Sequence, residues 1–345
     1  MSVEKKEFGK TKDGKVISLY TISNGRVSVA VTDYGANVVS ICAPNDRGEV
    51  KDLVMGYDKA EDYFVNSCFF GACVGRSANR IKDAKFSIDG TEYKLAVNDG
   101  PNNLHSDFDN GFHKQMWNAE IGDDAVIMTI NSPDMENGFP GNMKVTMTYS
   151  LTKANEFKLE YEALSDKKTL FNMTNHTYFN LGGHDAGEKA LNETMLNIKA
   201  SHYTPVVEGA IPTGEIAPVK DTVFDFTTPK KIGDDIDKDI EQLKLVQGYD
   251  HNYVIDGYDK SIREIAKASY DGRTMIVYTD LPGVQFYAGN CIADDIGKGG
   301  AKYSKRGAFC LETQFYPDSI NQEGFIKPVI EANVPFKTTT VYQFV

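Results

Sequence analysis

Apolar and polar side chains alternate with period two over much of this chain. Val27-Ser-Val-Ala-Val-Thr, Lys144-Val-Thr-Met-Thr-Tyr-Ser-Leu and Glu156-Phe-Lys-Leu-Glu-Tyr-Glu-Ala-Leu each send every second side chain to one face. That is the pattern of a strand with one face on a core and one in water. Val126-Ile-Met-Thr-Ile and Thr274-Met-Ile-Val-Tyr-Thr are apolar at almost every position and predict more deeply buried strands. Asp89-Gly90 separates Phe86-Ser-Ile from Thr91-Glu-Tyr-Lys-Leu, and Asp271-Gly272 separates Ile265-Ala-Lys-Ala-Ser-Tyr from Arg273-Thr-Met-Ile-Val-Tyr. Asp-Gly supplies the positive φ angles of a type I′ turn, so both are hairpins. Helical signals are few: Asp58-Lys-Ala-Glu-Asp-Tyr-Phe predicts a turn or two, and the charge-rich stretch from Lys231 to Val246 is either a helix or an exposed loop. Strands do not alternate with long helices, which argues against a parallel α/β sheet. The expected fold is all-β, a large antiparallel β-sandwich of stacked sheets, with residues 1–345 forming a single domain.

Composition sharpens the picture. With 345 residues, 41% of them hydrophobic, the chain can bury a sizeable core. Tyr (18) and Phe (19) are plentiful against a single Trp, which favours strands and also suits a pocket where rings stack on the apolar faces of sugars. A net charge of −12 argues against nucleic acid or an anionic membrane as partner, since both require a basic footprint. No local Arg/Lys cluster is present to hold a phosphate, so a phosphosugar substrate is disfavoured. The five cysteines (Cys42, Cys68, Cys73, Cys291, Cys310) are odd in number and lack a C-x-x-C pair, which argues against both a disulfide framework and a zinc site. All five lie in apolar runs and are expected to be buried thiols. The charged start Met1-Ser-Val-Glu-Lys-Lys-Glu does not resemble a signal peptide, and no apolar stretch approaches the ~18 residues of a membrane span. The expected location is cytoplasmic.

The chain has no G-x-G-x-x-G after a strand, no Walker loop, no G-x-S-x-G elbow and no H-E-x-x-H. Chemistry must then come from side chains set in unusual surroundings. Glu312 lies in Ala308-Phe-Cys-Leu-Glu-Thr-Gln-Phe-Tyr-Pro, where alternation puts Cys310, Glu312 and Gln314 on one face and Phe309, Leu311 and Thr313 on the other. A carboxylate on a covered sheet needs a partner or a cavity. His176 stands among polar residues inside the apolar frame of Phe171-Asn-Met-Thr-Asn-His-Thr-Tyr-Phe-Asn-Leu, and His105 follows Asn103-Leu104. Of the other histidines, His113, His184 and His202 read as structural or surface residues. Asp250 precedes His251 in Tyr249-Asp-His-Asn, a place where an Asp also commonly caps a turn. Gly75-Arg-Ser-Ala-Asn-Arg-Ile brings two arginines and an asparagine to the end of a buried strand, able to grip a polyol or an anion or to form structural ion pairs. Gln285 sits in the aromatic run Val284-Gln-Phe-Tyr, where an amide suits sugar hydroxyls.

Several of these segments, in order along nearly the whole chain, resemble the aldose 1-epimerase family, the galactose mutarotases. They are Gly75-Arg-Ser-Ala-Asn-Arg-Ile, Asn103-Leu-His, Asn175-His-Thr-Tyr-Phe-Asn-Leu, Ile211-Pro-Thr-Gly-Glu, Tyr249-Asp-His-Asn, Leu281-Pro-Gly-Val-Gln-Phe-Tyr and Cys310-Leu-Glu-Thr-Gln. The resemblance implies the large β-sandwich of that family (a supersandwich), no cofactor and no metal. It implies Glu312 as general base, His176 as general acid, and His105 assisting at the ring oxygen or binding nearby. Asn79, Arg80, Asp250 and Gln285 would bind sugar hydroxyls, with Tyr178 beside the site. The implied substrates are free aldohexoses such as D-glucose and D-galactose, and the implied assembly is a monomer or homodimer. Two departures stand out: Ser106-Asp-Phe-Asp-Asn where the family usually carries two glycines after Leu-His, and Phe315 where it commonly has His. Both bear on sugar preference.

Opening a hemiacetal ring needs one group to take the proton of the anomeric hydroxyl and another to protonate the ring oxygen. This reading expects an ionised Glu312 and a protonated His176. Three other readings remain: a glycoside hydrolase using Glu312 and Asp250 as its two carboxylates, a sugar-binding module without catalysis, and a hexose-6-phosphate epimerase with added basic contacts.

Overall fold

The computed structural model describes residues 1–345, and antiparallel sheets dominate it. Five N-terminal strands (Ser2–Lys10, Val16–Ser23, Ser28–Thr32, Val38–Pro44, Val50–Asp52) form one sheet in sequential order. A nine-stranded sheet runs Asn118–Ile121, Ala125–Ser132, Met143–Leu151, Glu156–Ser165, Phe336–Phe344, Arg273–Thr279, Arg263–Tyr270, Met195–Ile198, Lys230–Lys231. A third sheet of five strands is ordered Ala217–Pro218, His202–Tyr203, Asp250–Val254, Gly283–Tyr287, Cys310–Gln314. One cluster of 58 buried residues draws on all three sheets, including Val29, Val31, Met147, Tyr161, Tyr253, Phe286 and Leu311. Side-chain bonds tie the layers across it: Tyr342 Oη donates to Leu311 O at 2.9 Å, and Tyr149 Oη donates to Ala36 O at 2.5 Å. The antiparallel sandwich expected from the alternation is the observed architecture.

Both hairpins form as predicted. Asp89 and Gly90 have φ of 49° and 82°, and Asp271 and Gly272 have 48° and 71°, the left-handed pair a type I′ turn requires. Met143–Leu151 and Glu156–Ser165 alternate in burial as expected. Other expectations need correction. Ser28–Thr32 is covered on both faces, because Val29 and Val31 enter the main core while Ala30 joins a second cluster with Leu19, Tyr63 and Phe70. Ala125–Ser132 and Arg273–Thr279, expected to be deeply buried, alternate in burial instead. Their second face looks away from the sandwich, so apolar composition there does not mean core. The Asp58–Phe64 segment holds a single 3-10 turn, Ala60–Phe64. The stretch from Lys231 to Val246 contains a 3-10 turn at Ile232–Asp234 and a short helix at Glu241–Leu245. All five cysteines are free thiols, but only Cys73 and Cys310 are buried. Cys42 and Cys68 are half-buried and Cys291 is exposed.

Strand register positions the functional residues. Asp250 pairs with Tyr287 and Tyr287 with Cys310; Asn252 pairs with Gln285 and Gln285 with Glu312. Because side chains alternate, these two rows, with Gln314 beyond them, share one face of the third sheet. The opposite face carries Tyr253, Val284, Phe286 and Leu311 into the main core. Gly283 closes the polar face: a Cβ there would lie 2.6 Å from Asn252 Oδ1 and 2.8 Å from the Tyr316 ring.

Candidate active site

Thr174–His176 pairs with Ala72–Val74, and the chain beyond it is bonded to the strand that carries Glu312: Phe179 N–H donates to Phe309 O at 2.7 Å, and Phe309 N–H donates to Phe179 O at 2.9 Å. Two segments more than 130 residues apart in sequence therefore run side by side. Glu312 Oε1 lies 3.6 Å from His176 Nε2, and both side chains are almost fully buried. Glu312 Oε2 has no hydrogen-bond partner in the protein. Two near-parallel rings flank the imidazole, Tyr178 at 5.0 Å (27°) and Phe69 at 6.0 Å (29°). His105 meets it edge-on at 5.3 Å.

A second arm supplies the polar contacts. Asn79 and His105 both take left-handed backbone angles, φ of 57° and 55°, which cost about 1 kcal/mol or more per residue outside glycine. Reciprocal bonds hold them: His105 N–H donates to Asn79 O at 3.1 Å, and Asn79 N–H donates to His105 Nδ1 at 3.2 Å. Arg80 Nε donates to Asp99 Oδ2 at 2.7 Å, and its Nη1 lies 4.0 Å from Asp250 Oδ2. Gln285 Nε2 donates to Asp250 Oδ1 at 2.7 Å, while Gln285 Oε1 accepts from Gln314 Nε2 at 3.1 Å.

These groups line one cavity of about 190 Å³, together with Phe69, Leu104, Phe108 and Tyr287. Asn79, Arg80, His105, His176, Tyr178, Asp250 and Glu312 all reach it. Gln285 does not line it; its amide lies one step behind and orients Asp250. Arg76, the other arginine of its motif, points away from the cavity. It is 2% exposed and its guanidinium donates to Ser132 Oγ and to the carbonyls of Ser132, Pro133, Pro140 and Gly141 at 2.9–3.0 Å. His113, structural on the sequence pattern, is buried against Phe69 at 4.6 Å. His251 lies on the core face of its strand against Phe224 at 4.6 Å.

Sequence reasoning missed Phe69, Leu104, Phe108, Tyr287, Cys68, Cys291 and Ser67 on the cavity wall. Tyr287 was within reach of the alternation rule, standing two residues beyond Gln285. Phe108 comes from the departing loop: Asp107 Oδ1 accepts the N–H groups of Asp109 and Asn110, and that turn presents Phe108 at the mouth, edge-on to Phe69 at 5.6 Å. Phe315 packs near Phe336 and does not touch the cavity, so that departure does not act on the site directly.

Burial dominates the electrostatics. It pulls His176 down to about 4 and pushes Glu312 well above the usual carboxylate range, with the charge of Asp250 adding to the rise and Arg80 opposing it. Asp250 is also raised by burial, against the pull of Arg80 and of the Gln285 hydrogen bond. Burial, with the nearby His176 and Arg80, lowers His105 well below its ordinary value. The expected ion pair is thus opposed on both sides. The neutral pair and the ion pair hold the same number of protons, however, and differ only in where one of them sits.

The ligating atoms of His105, His176 and Glu312 lie within 4.8 Å of one another, close enough to suggest a metal site. The chemistry of His105 does not fit one. Its Nδ1 lone pair is taken by the Asn79 N–H, so the neutral ring carries its proton on Nε2, where a metal would need a lone pair. The trio suits proton donation and acceptance.

Fold and site together define an antiparallel supersandwich of the galactose mutarotase-like class with a buried carboxylate beside an imidazole. Among solved structures, galactose 1-epimerase from Lactobacillus acidophilus matches with a TM-score of 0.86 at 28% identity, covering 100% of this chain and 99% of that one. An aldose epimerase homologue from C. elegans matches at 0.84 and 27%, covering 95% and 98%. The sequence model of the aldose 1-epimerase family matches residues 18–343. Galactose mutarotase from Bos taurus is 37% identical over 100% of this chain and 99% of its own length. Aldose 1-epimerase from Escherichia coli is 34% identical over 96% of each. The chain belongs to the aldose 1-epimerase family.

Proposed function

We propose that this protein is an aldose 1-epimerase that interconverts the α and β anomers of free aldohexoses, D-glucose and D-galactose, with Glu312 and His176 as its proton-transfer pair. The observation that carries the reading is the 3.6 Å approach of Glu312 Oε1 to His176 Nε2 in a buried cavity. In the reacting microstate the shared proton sits on His176. Glu312 takes the proton from O1, His176 gives its Nε2 proton to O5, and the C1–O5 bond breaks as C1–O1 becomes a carbonyl. Rotation about C1–C2 turns the other carbonyl face toward O5. Closure then returns one proton to O1 and the other to Nε2, so the enzyme ends as it began. His105 Nε2–H is the second donor near the ring oxygen, and Asn79, Arg80 and Asp250 bind hydroxyls, with Tyr178 against the ring. Gln285 acts by orienting Asp250.

The core shared by all three sheets supports one domain over residues 1–345. The reading extends to a cytoplasmic enzyme working as a monomer or homodimer; its net charge is −12, and no helix is long and apolar enough to cross a membrane. Polarimetry on fresh α-D-glucose and α-D-galactose tests the function. Relaxation to the equilibrium rotation should be faster than in buffer and first order in enzyme. Cleavage of a nitrophenyl galactoside without that acceleration would point to a hydrolase instead.

A further inference from the structure

Cys310 is a thiol that the proton-transfer scheme does not use. It is fully buried, two residues before Glu312 and on the same face of the same strand. Residues i and i+2 of a strand stand about 7 Å apart on one face. The His176 ring lies between them. Cys310 Sγ is 3.5 Å from Nδ1, and Glu312 Oε1 is 3.6 Å from Nε2. The Tyr178 and Phe69 rings lie near-parallel to the imidazole at 5.0 and 6.0 Å.

We propose that Cys310 is a positioning residue that accepts the His176 Nδ1–H and so reserves Nε2 for the proton exchanged with the sugar. This rests on the function proposed above. Throughout that cycle Nδ1 keeps its proton; only Nε2 gains and loses one. A neutral ring has a single N–H, and if it migrates to Nε2, that nitrogen can no longer accept the proton returning from O5. An acceptor at Nδ1 prevents the migration. Histidine orientation in enzymes commonly uses a carboxylate for this purpose. A carboxylate at position 310 would stand on the same face as Glu312 and near Asp250, adding a third negative charge to a buried site. A thiol accepts weakly and stays neutral, since burial and the neighbouring Glu312 and Asp250 push its ionisation well upward. His105 and Tyr287 face the ring edge-on at 5.3 and 6.1 Å, and the backbone carbonyl of His176 itself also accepts from the ring, beside the thiol.

The test uses Cys310→Val, Cys310→Ala and Cys310→Ser in the full chain. Losing one weak hydrogen bond that fixes a tautomer should lower kcat about three- to tenfold in the valine and alanine variants, with KM little changed. The serine variant, whose hydroxyl accepts at the same place, should recover most of it. In ¹⁵N NMR of labelled histidine, His176 should show predominantly Nδ1–H in the wild type and serine variants and a mixture in the other two. Valine keeps the volume if alanine loosens the fold, and equal melting temperatures identify variants fit for comparison. Wild-type kcat and unchanged His176 ¹⁵N shifts in the valine variant would overturn the proposal. So would equal losses in all three variants with the tautomer unmoved, which would mark Cys310 as packing alone. Failure of the wild type to accelerate mutarotation would fail the function, whereas the NMR readout tests the hydrogen bond regardless.

Discussion

Replacing Arg76 by Met distinguishes a sugar-gripping arginine from a structural one. The guanidinium of Arg76 bonds four carbonyls and Ser132 Oγ at 2.9–3.0 Å, with Phe139 O at 3.4 Å, and pins the 132–141 loop to the strand end. Methionine fills much of the stem volume but leaves those carbonyls without a donor. Charge-assisted bonds contribute about 1.5–3 kcal/mol each, and water entering the loop recovers part, so the net loss is about 3–5 kcal/mol. At about 2.1 cal/mol/K per residue, 345 residues give an unfolding entropy near 0.7 kcal/mol/K, so the melting temperature should fall by about 4–7 °C. Calorimetry at a fixed scan rate reads that shift, and polarimetry at 20 °C should give an unchanged KM. An unaltered melting temperature with a several-fold higher KM would refute the reasoning and return Arg76 to the sugar site.

Three further outcomes follow from the same contacts. Burial holds His176, His113 and His251 down to about 4, 3 and 3, below their unfolded value near 6.5. Their neutral forms contribute stability fully above pH 6.5, and it is lost as pH falls, at roughly 1.4 kcal/mol per pH unit for each, down to the folded values. The raised Glu312 and Asp250 work the other way and offset part of this loss, but three histidines outweigh two carboxylates, so urea midpoints should still drop from pH 6.5 to 4.5, less in His251→Phe; a midpoint flat to pH 5 would contradict this. Gln285→Met removes the donor that orients Asp250 and should raise KM about two- to tenfold with kcat nearly unchanged, a split that steady-state polarimetry reads directly. Because the His105 tautomer is set by Asn79 N–H, treatment with EDTA and dialysis should leave the rate unchanged, and loss restored by Zn²⁺ would mean the trio ligates after all.

The sheets were legible because alternation and Asp-Gly turns are local signals, and both hairpins formed where they fell. Burial on the second face of a strand was not, since it depends on what the rest of the chain lays over it: Ala30 is covered and Ile127 is half-open with similar local sequence. Glu312 and His176 stood out as polar residues in apolar frames. The separation of Arg76 from Arg80 could not be read from a motif that contains both, because the direction of each depends on a chain path that turns between them. Phe108 could not be placed either, as its position at the mouth depends on the Asp107 turn in a loop that departs from the family.

The central claim, that one carboxylate takes the proton of O1 while one imidazole gives another to O5 of the same hexose, is tested most directly by a double-mutant cycle in polarimetry. Glu312→Gln and His176→Gln should each lower kcat by ~10²–10⁴-fold, and the double variant should fall little further than either, since each group is useless without the other. Calorimetric sugar binding should persist in all three. Losses that multiply in the double variant, or a Glu312→Gln enzyme that still mutarotates glucose at the wild-type rate, would contradict the account.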